Sequence, residues 1–171
     1  MGNKTLEKIG AAGEELVSLV YTQMGCVVVM SEDKYDQEKD MTIDGEEAEV
    51  KSQTVFRNFP CEDGTFKPAF TVDIESAYGK IYHNQLDKCK KVKKLIYVGR
   101  SSKYDPVVRI HQAPPPEERK FHISRNKHDG RLVAGLLIED MKIVKEIRNE
   151  KIVSYFMDEW KGKNAKSLQY S

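Results

Sequence analysis

The dipeptide Asp44-Gly45 constrains this chain more than any other feature, because the residues on both sides of it alternate between apolar and polar. Asp-Gly at the centre of a two-residue loop suits the type I′ turn, whose positive φ angles match the twist of an antiparallel pair. Residues 40–43 and 46–53 therefore read as a hairpin. Strand alternation puts Met41, Ile43, Ala48 and Val50 on a core face. It puts Asp40, Thr42, Glu49, Lys51 and Gln53 on the opposite, polar face. A two-residue loop pairs Ile43 with Glu46 and sets Asp40 across from Glu49, with Cβ atoms roughly 4.5–5.5 Å apart. A four-residue loop would pair Asp40 with Lys51 and keep the same faces.

Two carboxylates that close repel one another unless a cation lies between them. All-oxygen ligands suit Mg²⁺ or Mn²⁺ rather than zinc. Lys51 follows roughly 7 Å along the same face. An ammonium there orients a water or offsets charge on a phosphate, and a metal-bound water becomes a nucleophile. Gln53, next on that face, is placed to position a water or a phosphate oxygen.

The flanking segments have their own periods. Leu6, Ile9, Gly13, Leu16, Val17, Val20 and Met24 recur at helical spacing and predict a helix over 4–24, ended by Gly25. Residues 26–30 predict a short buried strand and 31–39 an acidic loop. Residues 54–68, with Pro60, Gly64 and Pro68, read as a loop or inserted excursion. Phe70–Ile74 reads as a strand, 76–92 as a second helix and Leu95–Val98 as a buried strand. Beyond these come Val107–His111, a triple-proline loop, a hairpin over 120–125 and 131–138 turning at Lys127–Gly130, and a C-terminal helix from about Asp140 to Trp160. The tail from Lys161 is polar. Gly10-Ala-Ala-Gly13 lacks the lysine of a phosphate-binding loop and reads as a site of close helix packing.

The chain of 171 residues suits one domain with a single core, residues 1–171, with a core of about 4–99, an extension of about 100–162 and a polar tail over 163–171. A hydrophobic fraction of 39% and a charged fraction of 32% suit a soluble protein, and no apolar run spans a bilayer. The N-terminus lacks a signal-peptide core, which points to the cytoplasm or a host-cell interior and to no membrane partner. Cys26, Cys61 and Cys89 are odd in number and unclustered, so reduced thiols are expected, at least two of them buried. The net charge of +1 hides a polarity: residues 32–49 hold nine acids and two lysines, and 88–103 hold seven basic residues and no acid. That suits a protein that holds a cation and grips a polyanion, although charge alone favours the plainer reading of a pair of solvated faces.

Asp40, eight residues, then Glu49-Val50-Lys51 resembles the PD-(D/E)XK, or restriction-endonuclease-like, nuclease superfamily, with Lys39 where the motif has proline. The resemblance implies an α/β fold with an αβββαβ core, a mixed central sheet flanked by helices, matching the element order over 4–99, plus here a C-terminal β-hairpin and helix. Holliday-junction-resolvase-like and Mrr-like members also carry a glutamate on the first helix. Glu14 falls at the edge of that helix's apolar stripe and Glu15 on its far side, so Glu14 takes the role. The implied activity is Mg²⁺-dependent hydrolysis of DNA by an endonuclease, with Mn²⁺ able to substitute. Asp40, Glu49, the Val50 carbonyl and Glu14 would serve the metal, and Lys51 and Gln53 the water or phosphate. RecB-type members fit less well, since Gln85 is followed by Cys89 where they carry tyrosine. Double-strand cutting by so small a chain implies a homodimer. A non-catalytic nucleic-acid-binding module and an RNA nuclease are the alternatives. Lys80, Tyr82, His83 and Lys88 around the second helix, and Arg125, Lys127, His128 and Arg131 around the late turn, are the candidate nucleic-acid contacts.

Overall fold

A computed structural model describes residues 4–31, 41–53, 56–76, 78–81, 85–100 and 106–154. The protein is mixed α/β, built on a mixed six-stranded sheet. Helix α1 (Lys4–Gln23) leads into β1 (Val28–Met30), β2 (Met41–Ile43) and β3 (Glu46–Gln53). Next come β4 (Arg57–Pro60), β5 (Phe66–Glu75), α2 (Gln85–Lys91) and β6 (Lys94–Gly99). The chain continues as β7 (Val108–Gln112), β8 (Phe121–Arg125), β9 (Leu132–Leu137) and β10 (Lys142–Ile147). A last helix starts at Glu150. Asn149 caps it, its side-chain oxygen accepting from the Lys151 and Ile152 amides at 3.0 and 3.3 Å.

The hairpin forms as the turn dictates. Asp44 and Gly45 have φ of 51° and 81°, and the register is Ile43↔Glu46, Thr42↔Glu47, Met41↔Ala48. The large sheet runs β1-β2-β3-β6-β7-β10, and only β3 and β6 pair in parallel. Helix α1 covers one face, where Leu16, Val17 and Val20 pack with Met41, Ile43, Ala48, Val50, Ile96 and Val98. Gly13 lets it lie close: a Cβ there would collide with the Ser52 hydroxyl, whereas one on Gly10 would meet nothing. The opposite face carries a second sheet, ordered β4-β5-β9-β8. Phe70 and Val72 of β5 and Leu136 of β9 pack there with Leu95 and Tyr97 of β6 and Cys89 of α2.

Several expectations change. The segment 54–68 holds β4 and the start of β5, a hairpin of the second sheet rather than a loop. Of the run 26–30, expected to be buried, Val28–Met30 forms an edge strand, and Val27 and Val29 are exposed, because β1 pairs with β2 alone. Of the helix expected over 76–92, the described helical residues are Gln85–Lys91, and the Ser76 amide donates to the Lys80 carbonyl at 2.7 Å. The stretch 142–147 is strand β10, not helix, because it completes the edge of the large sheet beside β7. Only Cys89 is buried, Cys26 and Cys61 being half-buried, and all three are free thiols. The segment after Gly99 is woven in rather than appended, since β7 and β10 extend the large sheet and β8–β9 complete the small one. Among the described residues no helix is long and apolar enough to cross a membrane. The acidic loop over 32–39, the far part of the C-terminal helix and the tail lie outside the described residues.

Candidate active site

Alternation along β3 turns Ala48 and Val50 toward α1 and Glu49, Lys51 and Gln53 toward the second sheet and α2. That second face is polar but covered rather than open to water. Glu49 is only 2% exposed, and a buried carboxylate persists when cations hold it. Lys51 Nζ lies 3.1 Å from its Oε1, and Lys88 Nζ 2.9 Å from its Oε2. Lys88 was expected to meet nucleic-acid phosphates; it is turned inward instead, because its position on α2 brings it over β3.

Gln85 stands one turn before Lys88, on the same side of α2. Its side-chain oxygen accepts from Lys51 Nζ at 3.0 Å. Lys51 is thus drawn between Glu49 and Gln85, at a cleft of about 330 Å³ lined by Lys51, Thr71, Val72, Asp73 and Gln85. Gln53, expected at a water or phosphate oxygen, is bonded to β5. β4 stops pairing with β5 at Arg57↔Ala69, and beyond that point the Gln53 side-chain oxygen accepts from the Thr71 amide at 3.0 Å. A side chain takes the place of the missing strand and ties β3 to β5.

Arg119 holds α2 in position. Its guanidinium donates to the carbonyls of Cys89 (2.8 Å), Val92 (2.7 Å) and Lys93 (3.0 Å), the oxygens left over at the helix end, and to Pro114 at 2.7 Å. Beside the site, burial pushes the Cys89 thiol up to about 11. It stays protonated at neutral pH, so it packs and does not act as a nucleophile.

Asp40, Tyr82 and His83 lie outside the described residues. Glu14 is half-buried and Glu15 exposed, as the helix phase requires. Helix α1, however, rests on the Val50 face of the sheet, so Glu14 starts from the side opposite Glu49. Among the described residues no group of three or more His, Cys, Asp or Glu is placed to hold a metal ion. Lys80 and Lys127 are exposed. Arg125 donates to the Gly130 carbonyl at 2.8 Å and lies 3.6 Å from Glu75. Arg131 pairs with Asp129 at 2.9 Å and approaches Asp73, at the cleft, to 3.9 Å.

Thr71 is the site residue the sequence reading did not name, and Gln85 it named without a place in the site. Gln85 had a signal: it is the polar member of the stripe Ile81, Gln85, Cys89, Val92. Comparison with protein-family models, curated proteins and solved structures returned no match.

Proposed function

We propose that the protein is a Mg²⁺-dependent endonuclease acting on DNA, with a restriction-endonuclease-like core formed by α1, β1–β3, α2 and β6. The observation that carries the reading is the Glu49–Lys51–Gln85 chain at the cleft, where a lysine is held by a buried carboxylate and an amide on the wall of an open recess. The parallel pairing of β3 with β6 after an intervening helix supports the fold.

Glu49 offers a hard oxygen donor of the kind Mg²⁺ takes, with Lys88 Nζ now 2.9 Å from its Oε2. As the sequence motif implies, Asp40, Glu49 and the Val50 carbonyl would hold Mg²⁺ or Mn²⁺. When bound, the ion supplies a water of lowered pKa. The chain's own residues do the rest. Lys51 offsets charge on the scissile phosphate, Gln85 and Glu49 fix its direction, and Lys88 balances the carboxylate. A second copy of the chain cuts the opposite strand, in the cytoplasm or a host-cell interior.

The experiment is cleavage of plasmid and linear DNA, with RNA alongside, by the purified chain and by Asp40→Asn, Glu49→Gln and Lys51→Met. Each variant should lose Mg²⁺-dependent cleavage while its circular dichroism spectrum stays native. Cleavage retained by well-folded Glu49→Gln would sink the proposal. One observation favours a second reading, a nucleic-acid-binding module without catalysis: Lys51 and Lys88 already stand at ion-pair distance from the two oxygens of Glu49. That reading expects no Mn²⁺ binding that depends on Glu49.

A further inference from the structure

We infer that the outer face of the second sheet seats a single-stranded stretch of nucleic acid and leads it to Lys51. The inference rests on the nuclease reading for the kind of ligand and adds its form. A groove of about 450 Å³ runs there between the β4–β5 hairpin and the β8–β9 turn. Arg57, Arg125 and Lys127 line it, His128 stands beside them, and no acidic residue appears among its described lining residues. Among the described residues Arg57 and Lys127 make no ion pair, so both charges are available to a polyanion.

The groove also has an aromatic wall. Phe66 lines it and is 66% exposed, a large apolar face presented to water. Beneath, the Phe59 ring lies against Gly135, where a Cβ would stand only 2.7 Å from it. Glycine there lets the ring lie low and keeps the recess open. Cationic side chains around an exposed aromatic in a concave site suit phosphates and an unstacked base. The bases of a duplex are stacked inside and cannot enter such a recess without being flipped out.

The groove and the active-site cleft share one lining residue, Thr71. Gln53 pins that residue from β3. A strand lying over Phe66 would therefore pass Thr71 and arrive at Lys51.

The test is fluorescence anisotropy on the full chain in EDTA, which prevents cleavage. The probes are fluorescein-labelled oligothymidylate, oligouridylate of the same length, and a blunt DNA hairpin of equal nucleotide count. One of the single strands should bind about tenfold more tightly than the hairpin. Phe66→Ala should weaken single-strand binding about fivefold or more and leave hairpin binding unchanged. Arg57→Glu and Lys127→Glu should weaken both and flatten the salt dependence. All three positions are exposed, so the variants should fold, and circular dichroism checks this. Equal affinity for hairpin and single strands, or no effect of Phe66→Ala, would overturn the inference. Strand binding that needs Phe66 without any Mg²⁺-dependent cleavage removes the nuclease reading and leaves the groove. Cleavage with binding indifferent to Phe66 does the reverse.

Discussion

Replacing His111 with leucine should remove much of the protein's sensitivity to mild acid. His111 lies on β7 and is 1% exposed, edge-on to Phe56 at 5.3 Å and to Phe70 at 5.4 Å between ring centres. Among the described residues neither ring nitrogen has a hydrogen-bond partner. Burial, and secondarily the charge of Arg109, push its pKa from 6.5 down to about 4. The unfolded chain takes up this proton near pH 6.5, and the folded protein only near 4. Between those values the unfolded state binds more protons, so stability is full above 6.5 and drains away as the pH falls toward 4. The complete loss is worth about 3 kcal/mol, of which about 2.5 kcal/mol is expressed by about pH 4.5. That is a large part of a typical total of about 5–15 kcal/mol. Urea unfolding at about pH 7.5 and about pH 4.5 reads it out. The wild type should lose about 2.5 kcal/mol more than His111→Leu over that interval, or about 1 M in midpoint. Carboxylates shared by the two proteins cancel in the difference. Equal losses would refute the reasoning.

Three further perturbations follow from the packing. Arg119→Ala strips hydrogen bonds from four carbonyl oxygens and should cost about 2–4 kcal/mol, lowering the thermal midpoint by at least about 5 °C; an unchanged melt means that water replaces them. Gly135→Ala drives a methyl group into the Phe59 ring and should cost about 1–3 kcal/mol in urea unfolding. Lys88→Met removes the ammonium from Glu49 Oε2, and on the nuclease reading it should lower the Mg²⁺ concentration needed for half-maximal cleavage, since a cation no longer competes there.

The parts of the fold that were legible in the sequence are those fixed by local chemistry. Asp44-Gly45 sets its own turn, and the register and the core face of β2–β3 follow from it. Helix α1 announced itself by its stripe, and Gly13 by its place within it. The second sheet was hidden because Pro60 and Pro68 look like strand breakers. Both are tolerated here: Pro60 ends the edge strand β4, and Pro68 lies just before β5 begins to pair with β9. Strand β10 was hidden by a bulge. The register slips between Ile143 and Lys145, so Val144 and Ile147 both face the core under α1, while Met141, just before the strand, packs into the core between the sheets; a spacing of three results, which reads as a helix. In the site, strand alternation gave the face that Glu49 and Lys51 share. The inward turn of Lys88 was not legible, because a lysine on a lysine-rich helix carries no local sign of the carboxylate it will meet. That meeting depends on how α2 sits, and Arg119, far along the chain, decides it.

The second sheet is assembled from two hairpins that lie far apart in the chain, one inserted before α2 and the other after β7. Its central pairing, β5 with β9, closes a long loop before any contact repays the lost chain entropy. Folding should therefore begin with the Asp44-Gly45 hairpin and α1, and the union of the two hairpins should come late. Until then Phe70, Val72 and the face of β6 that carries Leu95 and Tyr97 have no cover, and the collapsed chain is prone to self-association. The cleft at Lys51 and the basic groove share Thr71 as a common wall, so both would come into being in that same final step.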